Sequence, residues 1–249
     1  VAGEAAPSLR RKTIAEEKAR QYARAKEIAR PAGFVNTERI ALEDLLGKKV
    51  ILLDFWTYSC INCQRTTPYL NAWYAKYKDK GLEIIGVHTP EFQFEEVYDN
   101  VQSAVTKFGI RYPVVLDNDY ATWTAYGNRF WPRKYLIDID GFIVYDHIGE
   151  GAYEETEKKI QELLEERADF FKDAPSIAKD TVTPELQDTT DFSKSRSPET
   201  YFGAARNENL GNGTAASIGS QTLPEPQEIL PHRLYLAGTW EFTEEFAEN

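Results

Sequence analysis

The sequence predicts an α/β domain built on a central mixed β-sheet flanked by helices. Three observations carry this. The runs "VILLDFW" (50–56) and "LEIIGVH" (82–88) are almost continuously apolar, as strands covered on both faces are. Between them, Tyr69, Leu70, Trp73, Tyr74 and Tyr77 recur at helical spacing within residues 60–79. Farther on, "KYLIDIDGFIVYDHIG" (134–149) reads as two strands joined at Asp140-Gly141, a hairpin signal. Strand, helix and strand in succession imply a right-handed parallel crossover, to which the hairpin adds antiparallel strands.

The remaining elements follow in order. Residues 8–30 ("SLRRKTIAEEKARQYARAKEIAR") read as a helix, with Thr13 and Glu16 spaced as a capping box and Pro31 as its stop. Its apolar face is thin, mainly Ile14, Tyr22 and Ile28, which suits a solvated helical extension over residues 1–32. Leu45, Leu46 and Gly47 suggest a short turn ended by glycine. A helix is expected over 93–109, a strand over 112–117 and a short helix over 120–127. A last helix is expected over 153–172, with Ile160, Leu163, Leu164 and Phe170 or Phe171 inward. The compact domain thus spans 33–172. From 173 to 249 the chain turns rich in Ser, Thr, Pro, Asn and Gly, with one clear strand in "RLYLAGTWEF" (233–242). That stretch reads as a linker and an incomplete β-rich segment.

Composition narrows the function. The formal net charge of -11 argues against a nucleic-acid partner, which would call for a basic surface. No apolar stretch reaches the length of a membrane span. The chain starts at Val1 and holds no Met, so it reads as a processed chain or a fragment, and a membrane segment upstream is compatible with it.

Both cysteines lie in "LLDFWTYSCINCQRTTPYL" (52–70), three positions apart. A staple that closes so short a loop restricts the unfolded chain little. A structural zinc needs four ligands, and His88 and His147 lack local ligand spacing; copper delivery by the two cysteines and one histidine stays open. The redox reading uses the position itself. Cys60 falls where a buried strand gives way to a helix, whose free N–H groups and dipole stabilise a thiolate. Cys63, one turn on, can attack a mixed disulfide. Asp54 interrupts the apolar strand and, by alternation, shares a face with Trp56. A carboxylate there reads as a raised-pKa acid that moves the Cys63 proton, or as a structural aspartate paired with a lysine or water.

"DFWTYSCINC", then Pro68, then "WPRKYLIDIDG" resemble the thioredoxin superfamily, in its extracytoplasmic branch of TlpA- and ResA-like thiol reductases. "TYSCINCQRTTPYLNAW", "GVHTPEFQFE" and "YGNRFWPRKYLID" are more similar still to the soluble part of DipZ-like proteins, in which a CcdA-type membrane domain is fused to a thioredoxin-like domain. The resemblance implies a thioredoxin-like fold over about 33–170. It makes Cys60 the attacking thiol, Cys63 the resolving thiol and Asp54 the buried acid. It makes Pro132 a cis-proline facing the disulfide, with the Trp131 backbone free to pair with an extended substrate segment. Trp56 and Tyr58 are expected at the rim of the site. No separate cofactor and no metal are expected, the redox group being the Cys60–Cys63 disulfide.

The implied activity is extracytoplasmic reduction of protein disulfides, with electrons from a CcdA-type membrane donor to which the chain could be tethered. The alternatives are a disulfide donor or isomerase, and a metal- or glycan-binding protein on the same scaffold. Two departures stand out: Thr66 occupies a position often held by Glu, and Trp131 replaces a smaller residue. The tail resembles the start of a β-sandwich, too incomplete for glycan binding to be assigned. Glu91, Glu95 and Glu96 read as a solvated helix start, or else an acidic rim, and "NGT" (212–214) as a turn rather than a glycosylation acceptor.

Overall fold

A computed structural model describes residues 15–172, 176–185 and 197–249. The chain divides into two compact units, Val1–Asp188 and Thr189–Asn249. The first contains, in order, α1 (15–21), β1 (Gly33–Val35), α2 (Leu42–Leu45), β2 (Val50–Trp56), α3 (Ile61–Tyr77), β3 (Leu82–His88), α4 (Tyr98–Lys107), β4 (Val114–Leu116), α5 (Ala121–Ala125), β5 (Arg133–Ile137), β6 (Ile143–Ile148) and α6 (Tyr153–Phe171). Six strands form one sheet in the order β1-β4-β3-β2-β5-β6. β2, β3 and β4 run parallel; β1, β5 and β6 pair antiparallel with their neighbours.

All seven residues of β2 are buried, because both faces of this central strand are covered. Val50, Leu52 and Trp56 pack toward Leu70, Trp73 and Tyr77 of α3, Val101 and Val105 of α4, and Ile160 and Leu164 of α6. Ile51, Leu53 and Phe55 pack toward Leu42, Ile28, Trp123 and Tyr126 on the other side. Each such large apolar side chain contributes roughly 1.5–3 kcal/mol by leaving water. Gly86, beside Asp54 in the β2–β3 register, has no room for a side chain: a Cβ there would lie 2.8 Å from Trp56 Nε1 and 3.2 Å from Tyr112.

The hairpin turns at Gly141, whose φ of 87° falls in the left-handed region. Asp138 Oδ1 accepts N–H bonds from Asp140 and Phe142 and closes that turn. The buried carboxylate of Glu157 on α6 ties several elements together. It accepts from Trp73 Nε1 (3.2 Å), Lys76 Nζ (3.1 Å), Tyr77 Oη (2.7 Å) and the Val182 N–H (2.7 Å).

Several expectations are corrected. The extension is helical over 15–21 only; Thr13 and Ile14 lie outside the described residues. Residues 23–25 instead pair with the hairpin, Ala25 N donating to Gly141 O and Ile143 N to Ala23 O. A helix with so thin an apolar face gains little from packing, whereas this pairing satisfies the backbone and buries Ile28. The helix expected over 93–109 begins only at Tyr98, after a separate 3₁₀ turn at Gln93–Glu95. Phe170 and Phe171 are exposed, because the inward stripe of α6 runs through Ile160, Leu164 and Ala168 and the helix then ends. Residues 176–182, read as linker, pack on the first unit through Ile177 and Val182.

The second unit is a three-stranded antiparallel sheet of β7 (Gly219–Leu223), β8 (Gly238–Phe242) and β9 (Ala247–Glu248) around Leu210, Leu223 and Phe242. The strand expected over 233–242 is confined to Gly238–Phe242. Asn212 is a structural junction, its side-chain amide donating to the carbonyls of Pro224 (3.0 Å) and Leu236 (2.7 Å) and accepting from Leu236 N (3.2 Å).

Candidate active site

The polypeptide leaves β2 at Trp56 and enters α3 at Ile61, with Cys60 as the N-cap. Cys60 Sγ accepts the Cys63 N–H at 3.4 Å, one of the donors that a helix start leaves free. Both cysteines are free thiols; Cys63 is buried and Cys60 is partly exposed. Their chemistry diverges accordingly. The hydrogen bond from the Cys63 thiol, followed by the backbone N–H groups of Cys63 and Asn62, holds the Cys60 thiol below its ordinary pKa, against burial and the nearby Glu91 carboxylate. Burial, the Cys60 sulfur and Asp54 push Cys63 well above its ordinary value.

Asp54 lies on the Cys63 face of β2, 2 % exposed, and its Oδ1 accepts no hydrogen bond. Burial raises its carboxyl to about 7, opposed by the Lys134 charge. Lys134, on β5, is paired with Asp54 in the antiparallel register and is 1 % exposed. Its ammonium donates to Gly149 O at 3.0 Å, and burial lowers its pKa while Asp54 supports the charge. The residue pattern allows a lysine as partner of Asp54 without saying which. The signal was present: Lys134 alternates with Leu136 on a strand whose inner face is otherwise apolar.

The Trp131–Pro132 peptide bond is cis. Because Arg133 pairs with Phe55, this bond sits at the end of the sheet where β2 gives way to the cysteine loop. The Trp131 indole is held by Thr89 O (3.0 Å) and packs on Trp123, ring centroids 4.4 Å apart. Ile61 and Phe130, next to the cysteine and to Trp131 in the chain, are exposed apolar side chains. Tyr58 is partly buried, stacked on the His88 ring (5.6 Å) and bonded through its hydroxyl to Phe94 O. Trp56 is not at the rim. It is 2 % exposed and packs in the core against Gly86, because its position on the central strand points it under α3.

Glu95 also departs from expectation. It is fully buried, unlike Glu96, and its carboxylate accepts from Ser59 N and Oγ and from the N–H groups of Glu91 and Phe92. Nothing in the residue pattern separates it from its exposed neighbour. Among the described residues, Asp138, Asp140 and Glu166 lie close enough to share a metal ion, but the Lys18 ammonium already pairs with Asp138 (2.7 Å) and Glu166 (2.5 Å). The two cysteines belong to no such group among the described residues. His88 and His147 bond elsewhere, His88 Nε2 to the Tyr58 N–H and His147 Nε2 to Glu150 O.

A sheet of this order, with a C-x-x-C pair opening its long helix and a cis-proline at the same end, is a thioredoxin-like architecture. The chain belongs to the Redoxin family, whose model matches residues 2–164. It is 44 % identical over 212 residues to Protein DipZ of Mycobacterium tuberculosis, a match that covers 84 % of this chain and 29 % of DipZ. It thus spans less than a third of the length of that relative. It is 36 % identical over 126 residues to thiol-disulfide oxidoreductase ResA of Bacillus anthracis, covering 51 % of this chain and 69 % of ResA. Among solved structures, a putative thiol:disulfide interchange protein DsbE from Chlorobium tepidum superposes with a TM-score of 0.51 at 28 % identity, over 57 % of this chain and 96 % of that one.

Proposed function

We propose that the protein reduces disulfides in other proteins through Cys60 and Cys63, outside the cytoplasm, with electrons delivered by a CcdA-type membrane partner. The observation that carries the chemistry is the contrast between the two thiols: a partly exposed Cys60 with a lowered pKa beside a buried Cys63 with a raised one. The Cys60 thiolate attacks one sulfur of the substrate disulfide. That S–S bond breaks, the departing sulfur takes a proton, and a mixed disulfide forms. Asp54, ionised, accepts the Cys63 proton. The Cys63 thiolate then attacks Cys60 Sγ, forms the Cys60–Cys63 disulfide and releases the second substrate sulfur as a thiol. Two electrons and two protons pass to the substrate, and the membrane partner restores the dithiol. No separate cofactor is needed in this scheme.

Lys134 supports the ionised form of Asp54 during transfer. The Trp131 backbone beside the cis bond offers an extended substrate segment a place to pair. Tyr58, Ile61 and Phe130 supply apolar surface around it. The extracytoplasmic setting and the membrane donor rest on the likeness to DipZ and ResA; among the described residues no helix is long and apolar enough to cross a membrane.

The test is turnover of a protein disulfide such as insulin. Cys60→Ser abolishes it, and Cys63→Ser accumulates mixed disulfides; turnover retained in Cys60→Ser overturns the reading. Direction follows from the reduction potential in glutathione buffers. A value near that of thioredoxin, about -270 mV, fits a reductase, and one near that of DsbA, about -120 mV, makes the chain a disulfide donor.

A further inference from the structure

We propose that Glu95 is a positioning residue for Cys60: its buried carboxylate clamps Ser59 and thereby fixes where the next residue's thiol stands at the start of α3. The inference rests on the reading of Cys60 as the attacking thiol. Glu95 Oε1 accepts both the Ser59 N–H (3.2 Å) and the Ser59 hydroxyl (2.6 Å), while Oε2 accepts the N–H groups of Glu91 (2.6 Å) and Phe92 (3.1 Å). Two of these four bonds close the turn of Glu95 itself. The other two reach across 36 residues to the segment before Cys60.

That segment is held by side chains on each side. The Tyr58 N–H donates to His88 Nε2 (3.3 Å), Thr57 Oγ1 lies 3.4 Å from the same nitrogen, and Gln64 Nε2 donates to Tyr58 O (2.9 Å). Because a backbone N–H points at it, His88 Nε2 is an acceptor and the imidazole is neutral. Burial agrees, lowering His88 to about 4 despite Glu95. A neutral, stacked imidazole and a four-bonded carboxylate therefore hold residues 57–59, and Cys60 begins the helix from that support. The alignment matters because Cys60 Sγ must reach the Cys63 N–H.

A carboxylate suits the position for a countable reason. It offers about four lone-pair sites and meets four donors, whereas a carboxamide offers two and brings two donors of its own. Glu95→Gln can satisfy Ser59 or the 91–92 turn, not both. The Cys63 thiol and the N–H groups of Cys63 and Asn62 lower Cys60, and the Glu91 carboxylate raises it. Loss of a negative charge alone would in any case make Cys60 more acidic, so the two effects of substitution have opposite signs.

The experiment follows alkylation of Cys60 by iodoacetamide against pH in the reduced full chain, with thermal unfolding in parallel. Glu95→Ala raises the pH at which Cys60 titrates and slows alkylation at pH 7 by about tenfold, the fall in thiolate fraction when a thiol titrates about one pH unit higher. Glu95→Gln and Ser59→Ala give smaller changes of the same sign. Their double variant is no slower than the slower single, since both break one contact. Glu96→Gln, on the exposed neighbour, behaves as wild type. Folded Glu95 and Ser59 variants with an unaltered Cys60 titration overturn the proposal, and so does a faster Cys60. Should Glu95→Ala fail to fold, Ser59→Ala decides by itself. The parallel Cys60→Ser assay separates the two readings. Retained turnover there refutes the role of Cys60. Lost turnover with wild-type titration in the Glu95 and Ser59 variants refutes only the clamp.

Discussion

Asp54 and Lys134 stand opposite one another across the antiparallel β2–β5 pair, both buried, on the side of the sheet that holds Cys63. Neither charge is well solvated there, and each moderates the effect of burial on the other. A carboxyl poised near neutrality beneath a buried thiol is suited to accept its proton and return it.

Asp54→Asn removes that acceptor. Release of substrate from the Cys60 mixed disulfide slows by about a hundredfold, within the usual range for a general base, while the first attack by Cys60 is little changed. Stopped-flow measurement of the two steps separates them. In wild type the release step rises with pH through about 7, as Asp54 ionises; the variant lacks that inflection.

The same substitution alters stability, with a definite sign. The folded protein holds the Asp54 proton more tightly than the unfolded chain, so the Asp54 contribution to stability falls as pH rises from about 4 to about 7 and is level beyond, whereas His88, lowered to about 4, contributes the opposite slope in wild type and variant alike. The rise of the carboxyl from 3.8 to about 7 corresponds to on the order of 4 kcal/mol. Asp54→Asn removes this slope, and urea unfolding at pH 5 and pH 8 reads the difference.

Lys134→Met takes away the cation that lowers Asp54. The release step then shifts to higher pH and runs roughly tenfold slower at pH 7 for each unit of that shift. A profile that stays at the wild-type position would place Lys134 outside the proton transfer.

Glu157→Ala acts on stability alone. The carboxylate is 1 % exposed and joins α3, α6 and the segment ending at Val182 through four hydrogen bonds. Its removal strands the buried Trp73 and Tyr77 donors and leaves Lys76 with Asp180 alone; it costs about 3 kcal/mol in denaturant unfolding, with the Cys60 titration unchanged.

Much of this protein was legible from residue order because the deciding forces were local or periodic. β2 and β3 lie where the apolar runs placed them, and α3 where helical spacing did, since a strand buried on both faces and a helix with an aromatic stripe each leave a pattern in sequence. The position of the cysteine pair between them follows from the same patterns. Tertiary structure decided what depends on residues far apart in the chain. Residues 23–25 pair with a hairpin more than a hundred residues away instead of continuing a helix, because pairing satisfies the backbone there and the chain beyond it buries Ile28. Trp56 turned inward because Gly86 leaves space for it. Lys134 meets Asp54 only through strand register, and Glu95 meets Ser59 only because the turn after β3 folds back over the cysteine loop. A buried charge is set by the partners that the fold brings to it, and those partners have no spacing in the sequence to reveal them.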